Sequence, residues 1–447
     1  MYVSMLAISV LVFIAALYVY LRHPAASVFH PATFYLLFHG LVFVVRPIFA
    51  WHYRFDNMYT DIGFLPSPWE KTLALVCANL AFVVFMAASL WVARNPIRFT
   101  ANPADAGQRQ WLLRRFWWVA VPFGLIAASS LLWRWDAAAS GRVVGVFDPE
   151  AEAFALQGVS GYFVGAAAML APITAMIAYL GRFRLLSLVP FAAFSVVRLG
   201  TGKRADFVAA AVMVGLLLLV HLRKKWPTVL IVLGGLGLAL VFDGIQESRG
   251  AIIREIVRPD VEDRGEQWRA EEAPLESMDI ALMEFVEYMV WAVPKRTGSY
   301  NYFIDNLQIV TEPIPRAVWP GKPVGPPIKL FDLHPDTNPV GESFSVPGMG
   351  WYYAGYAGVV LWSALFALIY AGGHRWLVRS GQGQLATIAY VLLLATSVLA
   401  FRDGLLLTVI RQLAFYGAPL VALALLVRYG PQPAFGGVRE RPVPPVG

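Results

Sequence analysis

YVSMLAISVLVFIAALYVYLR, residues 2–22, decides the fold class. Twenty residues without Asp, Glu, Lys, Arg or His end at Arg22. As an α-helix, a run of that length reaches about 30 Å, the thickness of a bilayer's hydrocarbon core. No lysine or arginine precedes it, and its apolar length exceeds that of a signal-peptide core, so it reads as a retained span. Ten further blocks repeat the pattern, at 28–50, 70–93, 114–134, 159–180, 184–199, 205–222, 226–243, 351–371, 384–400 and 408–428. Eleven transmembrane helices follow, and the blocks are continuous where β-barrel strands would alternate.

The whole composition agrees. The 447 residues are 58% hydrophobic and 15% charged, with mean hydropathy +0.58, against about 25% charged in a soluble chain. The expected class is therefore an all-α polytopic membrane protein forming one integral domain over residues 1–447. Cys77 is the single cysteine, which excludes an intramolecular disulfide and a Cys-ligated metal centre. The seven histidines show no HExxH or similar spacing, so neither a metal nor another cofactor is expected.

Net charge is +7, but its distribution is not that of a nucleic-acid binder. Residues 243–350 hold 18 acidic and 10 basic groups, and the rest of the chain 11 and 26. Sixteen of those basic residues fall in alternate inter-block segments, with only Asp105 and Glu440 as acidic company. They are Arg22; Arg94, Arg98, Arg109, Arg114 and Arg115; Arg182 and Arg184; Arg223, Lys224 and Lys225; Arg375 and Arg379; and Arg428, Arg439 and Arg441. The positive-inside rule then puts the amino terminus outside and the carboxyl terminus inside. The tail 431–447 becomes a short cytoplasmic end. Residues 244–350 become one large outside loop, long enough to imply a function.

Several polar groups stand out against this background. Arg198, Lys203, Arg204 and Asp206 cluster at an outside turn with Gly200 and Gly202. That grouping suits an anion site as well as an interfacial anchor. It lacks the GxxxxGK[ST] spacing of a nucleotide loop. Arg249 and Arg254 follow the eighth block beside acidic neighbours, and serve equally as cationic ligand contacts or as a surface helix with local ion pairs. Arg411 lies one to two turns into the last block, where a buried partner or an anionic ligand is expected. Met283–Trp291 has helical apolar spacing beside Glu284 and Glu287, an amphipathic pattern. The strip from Glu312 to Pro323, EPIPRAVWPGKP, is rigidified by prolines and displays Arg316, Trp319 and Lys322. Guanidinium and ammonium groups suit a diphosphate, and an indole face suits a sugar ring. Glu342, His334 and Asp336 are candidate proton acceptors before the Gly350–Gly358 stretch, GWYYAGYAG.

The layout of many spans with one large outside loop before the last three resembles the oligosaccharide repeat-unit polymerases, the Wzy-type O-antigen polymerases of bacteria. The likeness rests locally on Ile314–Pro323, on Gly350–Gly358 and on Thr201–Asp206. It implies a GT-C-like glycosyltransferase in the bacterial inner membrane, working metal-free at the periplasmic face. Its partners would be undecaprenyl-diphosphate-linked oligosaccharides and membrane lipids, with a chain-length regulator as a further candidate. Arg316 and Lys322 would hold or activate the diphosphate, with Arg204 and Arg249 as added cations. An O-antigen ligase and a flippase of lipid-linked sugars are the competing readings; the second needs paired half-repeats, which the sequence does not display.

Overall fold

The computed structural model describes residues 1–56, 59–60, 63–98, 105–139, 145–148, 153–156, 161–200, 204–228, 275–276, 280–311, 313–314, 318–319 and 343–430, with backbone alone at 105–106, 134–139, 145–148, 153–156, 199–200 and 204–205. Its helices are α1 (Tyr2–Leu21), α2 (Pro31–Tyr53), α3 (Pro68–Val92), α4 (Asp105–Ala139), α5 (Gly161–Leu180), α6 (Leu185–Gly200), α7 (Arg204–Leu222), α8 (Leu282–Ala292), α9 (Ser345–Arg379), α10 (Gln384–Asp403) and α11 (Leu406–Tyr429). Eight of the described helices (α1 to α5 and α9 to α11) are long and apolar enough to span, and α6 and α7 carry shorter apolar stretches. These ten match ten of the eleven expected blocks; all but the start of the block at 226–243 lies outside the described residues. The chain is thus a polytopic, essentially all-helical membrane protein. One short hairpin, β1 (Gly145–Asp148) antiparallel to β2 (Ala153–Leu156), sits between α4 and α5, where an all-α fold was expected.

Local sequence explains the helix ends. Ser67 and Glu70 form a reciprocal capping box at the start of α3, with Pro68 in its first turn. His30 caps α2 by accepting the Ala32 N–H. Lipid offers no hydrophobic drive between helices, so close packing relies on small residues and interhelical hydrogen bonds. Ala74, Ala78 and Ala81 are buried on α3, which packs extensively on α9.

One end of the bundle gathers the basic segments. Val28 N–H donates to the Lys225 carbonyl, and Arg109 reaches both Gln384 (3.1 Å) and His221 (3.0 Å). Tyr179 donates to Gln384 at 2.6 Å, and Arg115 to the Leu426 carbonyl. The segments around 22–30, 107–115, 179–187, 221–225, 374–384 and 426–430 therefore share an end, in the alternation that the charge pattern predicts.

At the other end the expected loop is partly an interior element. All residues of α8 except Trp291 are buried, so it does not lie on a surface. Nine of its eleven residues are apolar or aromatic, leaving only Glu284 and Glu287 to be accommodated. Nor is α9 one continuous helix. Its backbone breaks at Ala354 and Gly355, the latter at φ 59°, ψ −138°, a conformation open to glycine alone. The leading segment folds back so that a Cβ on Gly358 would overlap the Gly350 carbonyl oxygen. The glycine-rich motif is the device that permits this reversal.

Candidate functional site

The densest charged cluster in the described interior lies where α2, α3 and α8 meet at this second end. It begins with a break in α2. Pro47 has no N–H to give the Phe43 carbonyl, and the ladder before it widens into a π-helical stretch, Gly40–Val45. Arg46 follows directly and is 1% exposed. Its Nε donates to both Glu284 oxygens, at 3.1 and 3.0 Å. Its terminal nitrogens donate to the carbonyls of Leu275 and Glu276.

One turn along α8, Glu287 is equally buried and accepts the Tyr59 hydroxyl at 2.6 Å. Lys71, in the first turns of α3, sits over the Tyr59 ring at 4.2 Å. The short α8 does not span. Burial pushes the Glu287 carboxyl up to about 7, with Lys71 opposing the rise and Glu284 adding to it. Burial, then the two glutamates, holds the Tyr59 hydroxyl well above its ordinary value. Nearby, Lys295 pairs with Glu70 at 3.3 Å. The cluster thus couples a fixed Arg–Glu pair to a carboxyl that exchanges a proton near neutrality, a pattern enriched at functional sites.

A second polar group lies at the mouth of α9. The Asn301 side chain donates to Asp305 Oδ1 at 2.7 Å and to the Tyr352 hydroxyl at 3.1 Å, while its oxygen accepts the Asp305 N–H. The backbone N–H groups of Asn301 and Tyr302 bond the Tyr352 and Tyr353 carbonyls, which end the leading segment of α9. Burial pushes Asp305 up to about 6, against the hydrogen bonds from Asn301 and Tyr352.

The sequence-expected residues distribute as follows. Arg198 is buried, pairs with Asp206 at 2.9 Å and lies over the Phe194 ring. Its charge is therefore matched within the bundle by Asp206. Arg411, for which a buried partner or an anionic ligand is expected, has an exposed side chain on α11; the inward positions of its turn are taken by Val409 and Gln412. Trp319 is exposed. The Arg204 side chain, Lys203, Arg249, Arg254, Arg316, Lys322, His334, Asp336 and Glu342 lie outside the described residues. Sequence reading passed over Arg46, and took Glu284 and Glu287 only as the polar face of a helix. The available signal was a cation and two acids, each inside an apolar run, where a charge is costly unless partnered.

Neither family models, nor curated proteins, nor solved structures give a match to this chain.

Proposed function

We propose that the chain is a glycosyltransferase that joins undecaprenyl-diphosphate-linked oligosaccharide repeat units into a longer polysaccharide, at the periplasmic face of the bacterial inner membrane. The observation that carries the reading is the asymmetry of the bundle. Basic segments collect at one end, while the opposite end holds a built polar interior, with α8 packed inside, α9 reversed at its mouth and two carboxyl clusters. A fixed site at one membrane face suits two lipid-anchored substrates that arrive laterally. The positive-inside rule makes that face the periplasmic one. The resemblance at Ile314–Pro323 supplies the donor half: Arg316 and Lys322 stabilise the charge that develops on the departing diphosphate, and Trp319 offers a sugar-sized face. Arg204 and Arg249 add cationic contacts. No metal is assigned a role.

Incubating the purified chain with a lipid-linked repeat unit tests this. A ladder of polymers is expected. Transfer only to lipid A-core would make the chain a ligase, and the absence of any covalent product would favour transport.

A further inference from the structure

Sugar transfer needs a group to take the acceptor hydroxyl's proton, and the structure offers one that sequence reading did not consider. Asp305 is part-buried in a short turn, Ile304–Leu307, between α8 and α9. Asn301, itself 1% exposed, fixes it from two sides, through its own amide nitrogen to Oδ1 and its oxygen to the Asp305 N–H. The Tyr352 hydroxyl bonds it as well. Base, orienting amide and buried hydroxyl thus form the chain of partners that holds a catalytic group in one geometry. Ile304 and Leu307 of this turn and Val310 of the helical turn that follows are exposed, an apolar ridge beside which an isoprenoid tail can lie. Tyr302, three residues before Asp305, is exposed, and from it the rings Tyr302–Tyr300–Trp351–Tyr356 follow one another at 5.3–6.3 Å to the exposed Tyr356. Aromatic faces beside a carboxyl and an amide are what a pyranose ring requires.

We propose that Asp305 accepts the proton of the acceptor sugar's hydroxyl, with Asn301 as its positioning residue, an assignment that rests on the polymerase reading above. The hydroxyl oxygen forms the new bond to the donor's anomeric carbon. The anomeric C–O bond to the diphosphate breaks, and its electron pair leaves on the diphosphate. The proton passes to the Asp305 carboxylate, from which water removes it. Tyr352 and Tyr353 are the titratable groups that face Asp305 among the described residues. A carboxyl raised to about 6 by burial is ionised at neutral pH and basic enough to work there.

The test uses the full chain in detergent with a lipid-linked repeat unit. It compares wild type, Asp305→Asn, Asp305→Glu and Asn301→Ala, with kcat and KM read from polymer bonds formed per folded protein. Asp305→Asn is expected to lower kcat on the order of 10²-fold or more at little-changed KM. Asp305→Glu should recover part of the loss. In the wild type, kcat/KM should fall as pH drops through about 6, a limb that needs no variant to observe and that Asp305→Asn should flatten. Asn301→Ala should move that limb as well as lower kcat, whereas a purely structural residue would leave the pH profile in place. If the wild type polymerises and Asp305→Asn keeps both rate and acid limb, the Asp305 assignment falls while the polymerase reading stands. Absence of polymer from the wild type overturns both.

Discussion

Removing Arg46 should be among the most damaging single changes to this fold, for a reason the structure makes quantitative. The guanidinium Nε lies 3.0 and 3.1 Å from the two Glu284 oxygens, and its other nitrogens serve the Leu275 and Glu276 carbonyls. Both side chains are almost wholly buried. Arg46→Met fills much of the volume but leaves a carboxylate and two carbonyls without their donor. Breaking a buried pair from one side costs about 3–5 kcal/mol, chiefly because the surviving charge is uncompensated. Glu284→Leu should cost a similar amount. In Arg46→Met/Glu284→Leu neither charge remains, so about 2 kcal/mol or more of the summed losses should be recovered. Unfolding in mixed detergent–SDS micelles, followed by tryptophan fluorescence, gives all four corners of the cycle. Single losses below about 1 kcal/mol, or a double variant in which the losses simply add, would refute the idea that this pair locks α8 to α2.

The neighbouring Glu287 should make stability pH-dependent. Its folded value of about 7 exceeds the ordinary 4.5, so the folded chain binds the extra proton. Stability on this group's account is full below about pH 4.5 and is lost as pH rises through 7, by about 3 kcal/mol in all. Subtracting a Glu287→Gln titration of unfolding should isolate that fall, and parallel curves would contradict it. On the donor side, Arg316→Ala should reduce polymer per folded protein by about 10²-fold, with Arg316→Lys between it and wild type because charge survives without the planar fork; an unchanged ratio would show that Arg316 serves only folding. A reporter active only outside the cytoplasm should work when fused after residue 270 and fail after residue 224 or at the carboxyl end, and activity at the carboxyl end would reverse the orientation.

The spans were legible because they depend on length and composition alone, which residues 2–22 already display. The shared basic end was legible too, since alternate placement of residues such as Arg109, Arg115 and Arg184 fixes it. Two features were not. The pairing of Arg46 with Glu284 joins positions 238 residues apart, and no local pattern announces such a partner. The reversal of α9 depends on backbone contact between Gly350 and Val359 and on a positive φ at Gly355; in sequence, its glycines and aromatics read equally well as the mouth of a straight span. Asp305 was hidden for a third reason. Its environment comes from Asn301 four residues before it and Tyr352 in the following helix, so an isolated acid in a long acidic loop gave no sign of burial.

The proposed function puts the polymerisation of lipid-linked glycan at the acid-lined end of the bundle. It is tested most directly in proteoliposomes of fixed orientation, with the lipid-linked repeat unit supplied to one leaflet at a time and product read as a polymer ladder. Ladders are expected only when the repeat unit is on the side of α8 and Asp305. Ladders formed equally well from the leaflet at the basic end, or formed from neither leaflet, would contradict it.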